Sequence, residues 1–286
     1  MTLLVAAPAS TANVGSGFDC AAVALDLWNE LELAPGPGSV EIEGEGADEL
    51  PRDSTHLSLR AFSLLAAPDR FTFRFVNRIP LERGLGASAA AIAVGLAAGQ
   101  AAADRRLELD ELLALGLALE CHADNLAATL AGGACLAWRD ATGPHLRRIA
   151  DDVPLVPVAV VPRERVGTAA SRAALPEVVD HAQAALATSR AALLGAGLAS
   201  GDAELFRASF DDVLHEPYRA SPLLAEIREE LRLDATLSGS GPTVIVWAPP
   251  ADADSCAADL GGRFPEATVL RLGVASRGAR AQEVVA

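Results

Sequence analysis

The chain contains no lysine: all 23 of its basic residues are arginine. That absence removes several chemistries. A Walker-type phosphate loop ends on Lys and cannot occur here. A Schiff-base lysine is excluded for the same reason. Any phosphate site must then be built from backbone N–H groups, arginine or a metal ion. Aromatic residues are also few, 4% of 286 positions, although 51% of the chain is hydrophobic. The core must therefore be made of Ala, Leu and Val. That is ample apolar material for a soluble globular fold of one large domain or two closely packed ones.

An excess of positive charge is missing too. The formal net charge is −15 and no basic stripe is visible, so no nucleic acid and no membrane surface is expected as a partner. Cysteine is scarce, and Cys20, Cys121, Cys135 and Cys256 form no CxxC pair. Their spacing fits neither a zinc site nor a disulfide framework, and free thiols in a reducing cytoplasm are expected. No basic stretch precedes the short apolar start, so no secretory signal is expected. The alanine-rich run from Ala87 to Ala98, bounded by Arg83 and Asp104, is too short to span a bilayer.

Alternation and turn residues divide what is there. Strands are expected at 3–7, 22–33, around "VEIEGEG", at 71–76, at "ACLAW" and at "VPVAVV", which Pro162 ends. Helices are expected at 88–103, over "ELLALGLALE" with Asp110 as its cap, and in the second half at 176–198, 202–214 and 221–232. "ATLSGSGPTVIVWA" reads as a hairpin with a glycine turn, and a helix at 251–262 and a strand at 267–274 make a closing β-α-β-like unit. Strands and helices mix without strict alternation, which predicts an α+β fold. The stretch "DDVP" places a boundary between domains 1–152 and 153–286.

Three polar, glycine-rich loops interrupt this pattern. "PLERGLGASAA" (80–90) sets Gly84 and Gly86 just ahead of a long helical run. A helix N-terminus offers unpaired N–H groups and the positive end of a dipole, and glycine lets backbone approach phosphate oxygens closely. Ser88, in the first turn, can cap the helix or give an oxygen to Mg2+. An ordinary loop-to-helix junction explains these residues equally well. The spacing of Gly84, Gly86 and Ala89 also matches G-x-G-x-x-A, but "NRIPLER" separates the glycines from the preceding strand. The dinucleotide-binding reading therefore fails on context. The G-x-S-x-G nucleophile elbow fails as well, because Ala90 holds its second glycine position. "PASTANVGSGFD" (8–19) carries Ser10, Thr11, Asn13 and Asp19, more hydrogen-bonding groups than one turn needs. "SGSGPT" (238–243) alone is hairpin chemistry. "ECHADN" (120–125) puts Glu120, His122, Asp124 and Asn125 at what reads as the end of the second helix, as a site or as a solvated helix end.

Taken in order, the loops resemble those of the GHMP kinase superfamily: an N-terminal polar loop, a P-x-x-x-G-L-G-S-S-A phosphate loop and a C-terminal G-[SA]-G-P-[ST] loop. The resemblance covers nearly the whole chain. Within it, "PASTANVGSGFD", "HADNLAATLAGG" and "LHEPYR" are similar to segments of the members that phosphorylate the side-chain hydroxyl of L-homoserine on the route to threonine. The resemblance implies a two-domain α+β GHMP kinase fold, with an N-terminal domain like domain 2 of ribosomal protein S5 and a ferredoxin-like C-terminal domain. It also implies ATP and Mg2+ as cofactors, L-homoserine as substrate, a cytoplasmic location and a possible homodimer.

Carried over by position, Pro80, Leu81, Glu82, Arg83, Gly84, Leu85, Gly86, Ala87, Ser88, Ala89 and Ala90 would wrap the ATP phosphates, with Ser88 and Glu120 on Mg2+. Asn13, Asp19, His122, Asp124 and Asn125 would line the amino-acid pocket, Asn125 orienting the reacting hydroxyl. Arg172 and Arg219 would clamp the carboxylate, with Asp19 or Asp124 facing the ammonium. Gly239, Ser240 and Gly241 would close the site. The chain departs from the pattern at Ala87, where a first serine is usual, at Ala128, where proline is common, and at His56, where an asparagine often helps hold adenine. A superfamily kinase for another small alcohol of mevalonate-pathway or shikimate type, and a non-catalytic ATP-binding member, remain open as alternatives.

Overall fold

The computed structural model describes residues 2–119 and 122–284. In chain order the first half runs β1 (Thr2–Ala12), β2 (Ala21–Pro35), β3 (Val40–Gly44), α1 (Leu57–Ser63), β4 (Phe71–Asn77), α2 (Ala87–Ala102), α3 (Leu109–Leu117), α4 (Ala123–Ala131), β5 (Ala134–Asp140) and β6 (Gly143–Ala150). The second half runs β7 (Val156–Val161), α5 (Thr168–Ala173), α6 (His181–Ser200), α7 (Ala203–Ala208), α8 (Pro222–Ala225), β8 (Ala235–Leu237), β9 (Val244–Ala248), α9 (Ala253–Arg263), β10 (Thr268–Arg271) and β11 (Arg280–Val284).

Two sheets organise these elements. The larger has the order β11-β1-β2-β4-β3, and β5 and β6 branch from β2. The branch follows from the length of β2, 15 residues: its start pairs with β5 and its end with β4. The β1–β2 register shifts between Pro8 and Ala9, where proline has no N–H to give the ladder. The last strand, β11, returns to pair with β1. The smaller sheet has the order β10-β7-β9-β8, antiparallel throughout. β9, α9 and β10 therefore form the expected closing unit, with β7 lying between the two strands.

Side-chain alternation explains why "VPVAVV" and "TVIVWA" carry almost no polar residue. Val158, Val160, Val244 and Val246 face a small core under α8 and α9. Ala159, Val161, Ile245 and Trp247 face the main core. Both faces are buried, so apolar residues fill both phases of the strand. Trp247 sits edge-on to Phe206 and donates Nε1–H to Thr236 Oγ1 at 2.9 Å. In the main core α2 is apolar all round, because it is buried on every side over most of its length.

Several expectations change in detail. The N-cap of α3 is Glu108, in a capping box with Glu111, and not Asp110. Asp110 instead accepts from Leu146 N at 3.0 Å and meets His145 Nδ1 at 2.9 Å, tying α3 to β6. The helix expected at 176–198 begins only at His181, where Asp180 accepts from Gln183 N. The one expected at 202–214 stops at Ala208, since "DDVLHEP" spends its polar groups on local turns. The one expected at 221–232 is α8 continued by a π turn through Glu226–Glu230. α1, α4, α5, β6 and β11 escaped the sequence reading.

Candidate active site

A cavity of about 480 Å³ opens where the 80–89 loop, the β1–β2 loop, the start of α4 and the glycine turn at 239–240 converge. Its floor is the N-terminus of α2. Gly86 is the N-cap, in the left-handed region at φ 70°, and no side chain caps the helix. The first intrahelical bond runs from Ala90 N to Gly86 O at 2.9 Å, so the amides of residues 87–89 have no partner within the helix. Gly84 is also left-handed, at φ 77°. A Cβ on Gly84 would stand 2.2 Å from Ser238 O, and one on Gly86 2.2 Å from Ser10 Oγ. Only glycine fits either position.

The loop is pinned from several directions. Ser10 N donates to Leu85 O at 3.1 Å, and Ser238 Oγ lies 2.7 Å from Gly84 O. Arg83 donates to the carbonyls of Leu81, Pro162 and Arg163 at 3.3, 2.9 and 2.9 Å. Its guanidinium therefore straps the loop to the end of β7. The result is a fixed concave set of backbone donors with a helix dipole behind it, the chemistry that suits a polyphosphate. Ser88 is exposed on the first turn of α2, where its hydroxyl oxygen can serve a hydrated cation. Glu120, the other expected Mg2+ ligand, lies outside the described residues. Among the described residues no group of three or more His, Cys, Asp or Glu is placed to hold a metal.

Beyond the loop the cavity is walled by Leu50, His56, Leu57, Ser58 and Asn77. His56 is buried, accepts from Ser58 N through Nδ1 at 3.2 Å and stacks on Phe75 at 4.6 Å. Burial holds its pKa down, at about 4. It is the neutral N-cap of α1.

The opposite end is charged. Asn13 and Asp19 both adopt left-handed backbone, at φ 56° and 55°, a conformation short polar residues tolerate. Asn13 Oδ1 accepts from Asp19 N at 2.8 Å, and its Nδ2 donates to Gly239 O at 3.1 Å. One side chain thus joins the polar loop to the glycine turn. Arg172 grips Asp19 with contacts of 2.7, 2.7 and 3.0 Å. Phe18 lies between the two expected carboxylate-binding arginines, with Arg172 5.7 Å and Arg219 5.6 Å from its ring centroid. Arg219 is half-buried, which lowers its pKa, and its Nε is buried without a hydrogen-bond partner. A guanidinium short of acceptors is the condition an incoming carboxylate satisfies.

"HADN" proves to begin a helix and not to end one. α3 stops at Leu117, His122 is the N-cap of α4, and Asp124 and Asn125 occupy its first turn. A carboxylate is favoured there by the dipole. Asp124 is 3% exposed and accepts from Asn125 N at 2.7 Å. Burial, then the negative field of Asp19, raises its pKa to about 6, against the pull of its hydrogen bonds and of His122. Asn125 Oδ1 accepts from Ser10 Oγ at 2.9 Å, which leaves the Asn125 amide N–H groups for the cavity.

Most of the expected site residues line this one cavity: the loop from Pro80 to Ala89, Asn13, Asp19, His122, Asp124, Asn125, Arg172, Arg219, Gly239 and Ser240. Ala90 is fully buried in the main core, and Gly241 faces a neighbouring cavity. The sequence reading missed Ser10 as the partner of Asn125 and Phe18 as the platform for both arginines. A phenylalanine inside a polar loop, in a chain with eight of them, was the available signal.

A glycine cradle at a helix start in one half, closed by a glycine turn from the other, defines the class: this is the two-domain GHMP kinase fold. Models of the GHMP kinases N terminal domain and GHMP kinases C terminal match residues 56–133 and 182–266. The chain is 39% identical to the homoserine kinase of Streptomyces avermitilis, over 96% of this chain and 94% of that one. It is 37% identical to the homoserine kinase of a Mycobacterium species, over 91% and 89%. The crystal structure of homoserine kinase from Cytophaga hutchinsonii superposes with a TM-score of 0.84 at 26% identity, covering 98% of this chain and 97% of that one. The chain belongs to the homoserine kinase family of GHMP kinases.

Proposed function

We propose that the chain transfers the γ-phosphoryl group of ATP to the side-chain hydroxyl of L-homoserine, giving O-phospho-L-homoserine and ADP. One observation carries the reading: a carboxylate and two guanidiniums gather around Phe18 at one end of the cavity whose other wall is the amide cradle. That end fits a zwitterion, with Arg172 and Arg219 for the carboxylate and Asp19 or Asp124 for the ammonium.

Positioning and charge neutralisation account for most of phosphoryl transfer, because its transition state is loose. The amides of residues 84–89 and the dipole of α2 neutralise the phosphates. Asn125, held by Ser10, donates N–H to the oxygens at the point of transfer and orients the hydroxyl. The hydroxyl keeps its proton until the new P–O bond is well formed, then gives it to the transferred phosphoryl group. Ser88, with Glu120, would hold Mg2+, which when bound would neutralise phosphate charge. Cytoplasmic residence, a homodimer and a place on the route to threonine belong to the same reading. No helix among the described residues is long and apolar enough to cross a membrane.

A coupled ADP-release assay tests this directly. L-Homoserine should support turnover with Mg-ATP, while mevalonate and shikimate should not. Turnover on either of those alone would replace the substrate. ATP binding with no turnover on any alcohol would make this a non-catalytic member.

A further inference from the structure

One buried group beside the amino-acid end has no part in that mechanism. His215 lies just before the short turn Glu216–Tyr218, and its side chain is fully buried. Asp212 fixes its backbone, accepting from His215 N at 2.7 Å and Glu216 N at 2.8 Å. The ring meets two partners that allow no choice of role. Nε2 is 3.2 Å from Gly15 O, which can only accept. Nδ1 is 3.1 Å from Arg219 Nη1, which can only donate. The proton therefore sits on Nε2 and the bare nitrogen faces the guanidinium. Asp212 Oδ2, 3.7 Å from Nε2, favours the same tautomer. Protonating the ring would set an N–H against the Arg219 N–H, and burial keeps its pKa down, at about 4.

The same ring stacks on Phe18 at 5.3 Å. Through Gly15 it holds the polar loop that carries Asn13 and Asp19. Through Arg219 it reaches the glycine turn, since Arg219 Nη1 also donates to Gly239 O. An arginine has many rotamers, and a carboxylate selects only those that present the fork. The geometry points to His215 as a positioning residue that aims Arg219 at the substrate carboxylate, its bare Nδ1 serving as the fixed acceptor. This rests on the reading of L-homoserine as the substrate.

The test separates the two ring nitrogens. In His215→Asn the side-chain oxygen can replace Nδ1 as acceptor for Arg219. In His215→Gln the longer amide can replace the Nε2 donor to Gly15 but leaves Arg219 without its acceptor. Rates are measured on L-homoserine and on 3-aminopropan-1-ol, the same alcohol without its carboxylate. His215→Gln should lower the preference for L-homoserine over the amino alcohol by about tenfold, through KM, and leave the KM for ATP within about twofold. His215→Asn should recover most of that preference. Equal losses on both substrates, or identical behaviour of the two variants, would overturn the proposal as a merely structural role. Nitrogen-15 NMR of the wild-type imidazole at pH 7 judges it independently of turnover. A proton on Nε2 alone is required, and a proton on Nδ1 overturns the proposal even if another alcohol proves to be the substrate.

Discussion

Arg172 and Asp19 neutralise each other across the mouth of the amino-acid end, Nη2 lying 2.7 Å from each carboxylate oxygen. They are the groups proposed to receive the two charges of the substrate. Both side chains are over 40% exposed, so the pair contributes little to stability. A zwitterion can insert between them, its carboxylate taking Arg172 and its ammonium taking Asp19, with no charge left unpaired. The site is thereby kept neutral before and after binding, and an alcohol carrying only one of the two charges leaves one partner unpaired.

Removing either partner should therefore act on one substrate only. Arg172→Ala and Asp19→Asn are each expected to raise the KM for L-homoserine by about tenfold or more, with the KM for ATP within about twofold. Initial-rate measurements at varied concentrations of each substrate check this. Parallel rises in both constants would mean that the pair shapes the whole cavity and does not receive the amino acid.

Gly86→Ala should damage the phosphate cradle. The residue is left-handed at φ 70°, and a Cβ would stand 2.2 Å from Ser10 Oγ and 3.1 Å from Asn125 Oδ1. The clash breaks the Ser10–Asn125 bond or displaces the helix start. A loss of stability above about 1 kcal/mol is expected, with ATP-induced thermal stabilisation abolished. Unchanged stabilisation by ATP would place the nucleotide elsewhere.

Asp124, proposed to face the substrate, is a carboxylate whose burial costs stability. Its pKa is raised to about 6 from an ordinary 3.8 by burial, so the folded state binds a proton more readily than the unfolded one. Stability contributed by that proton is full below 3.8 and is lost as pH rises through about 6. At pH 7 the buried carboxylate is charged, at a cost of up to about 2–3 kcal/mol. Asp124→Asn keeps an acceptor for Asn125 N and should raise the melting temperature at pH 7 while raising the KM for L-homoserine. In the wild type, kcat/KM for L-homoserine should fall as pH drops through about 6. A variant neither more stable nor weaker in substrate binding would refute both roles.

His145 gives a pH signature of the same sign far from the cavity, from hydrogen bonding and not from burial. Asp110 first, then Asp140, raise its pKa by hydrogen bonding both ring nitrogens. Its contribution to stability is fully present below the ordinary value of 6.5 and is lost as pH rises through the higher folded value. The melting-temperature gap between wild type and His145→Ala should be widest near pH 6 and shrink toward pH 9. A gap independent of pH would mean that the ring acts through packing on Trp138 and not through charge.

Much of this was legible along the chain. The alternation in "FTFRFV" and the apolar run in "VPVAVV" located β4 and β7 to within one residue, because burial on one or both faces leaves a periodic mark. The glycines at 84 and 86 marked a tight turn into a helix, and the absence of lysine limited any phosphate site to backbone amides, arginine or a metal, but the residues alone left an ordinary loop-to-helix junction equally open. "HADN" was misplaced, since helix ends are set by capping that polar residues satisfy in either direction. β11 was missed because an edge strand exposed on one side carries weak alternation.

By itself the sequence determined which groups were on offer: no ammonium side chain, a loop only glycine can form, and two arginines and two aspartates in separate segments. It could not determine which would meet. Asn13 and Gly239, which it bonds, are 226 residues apart, and His215 and Gly15 are 200 apart. Only tertiary packing decided that Asn125 is turned by Ser10 and that His215 stands behind Arg219. Contacts between distant segments are fixed by how two buried sheets share one core, and that information is not local to any stretch of chain.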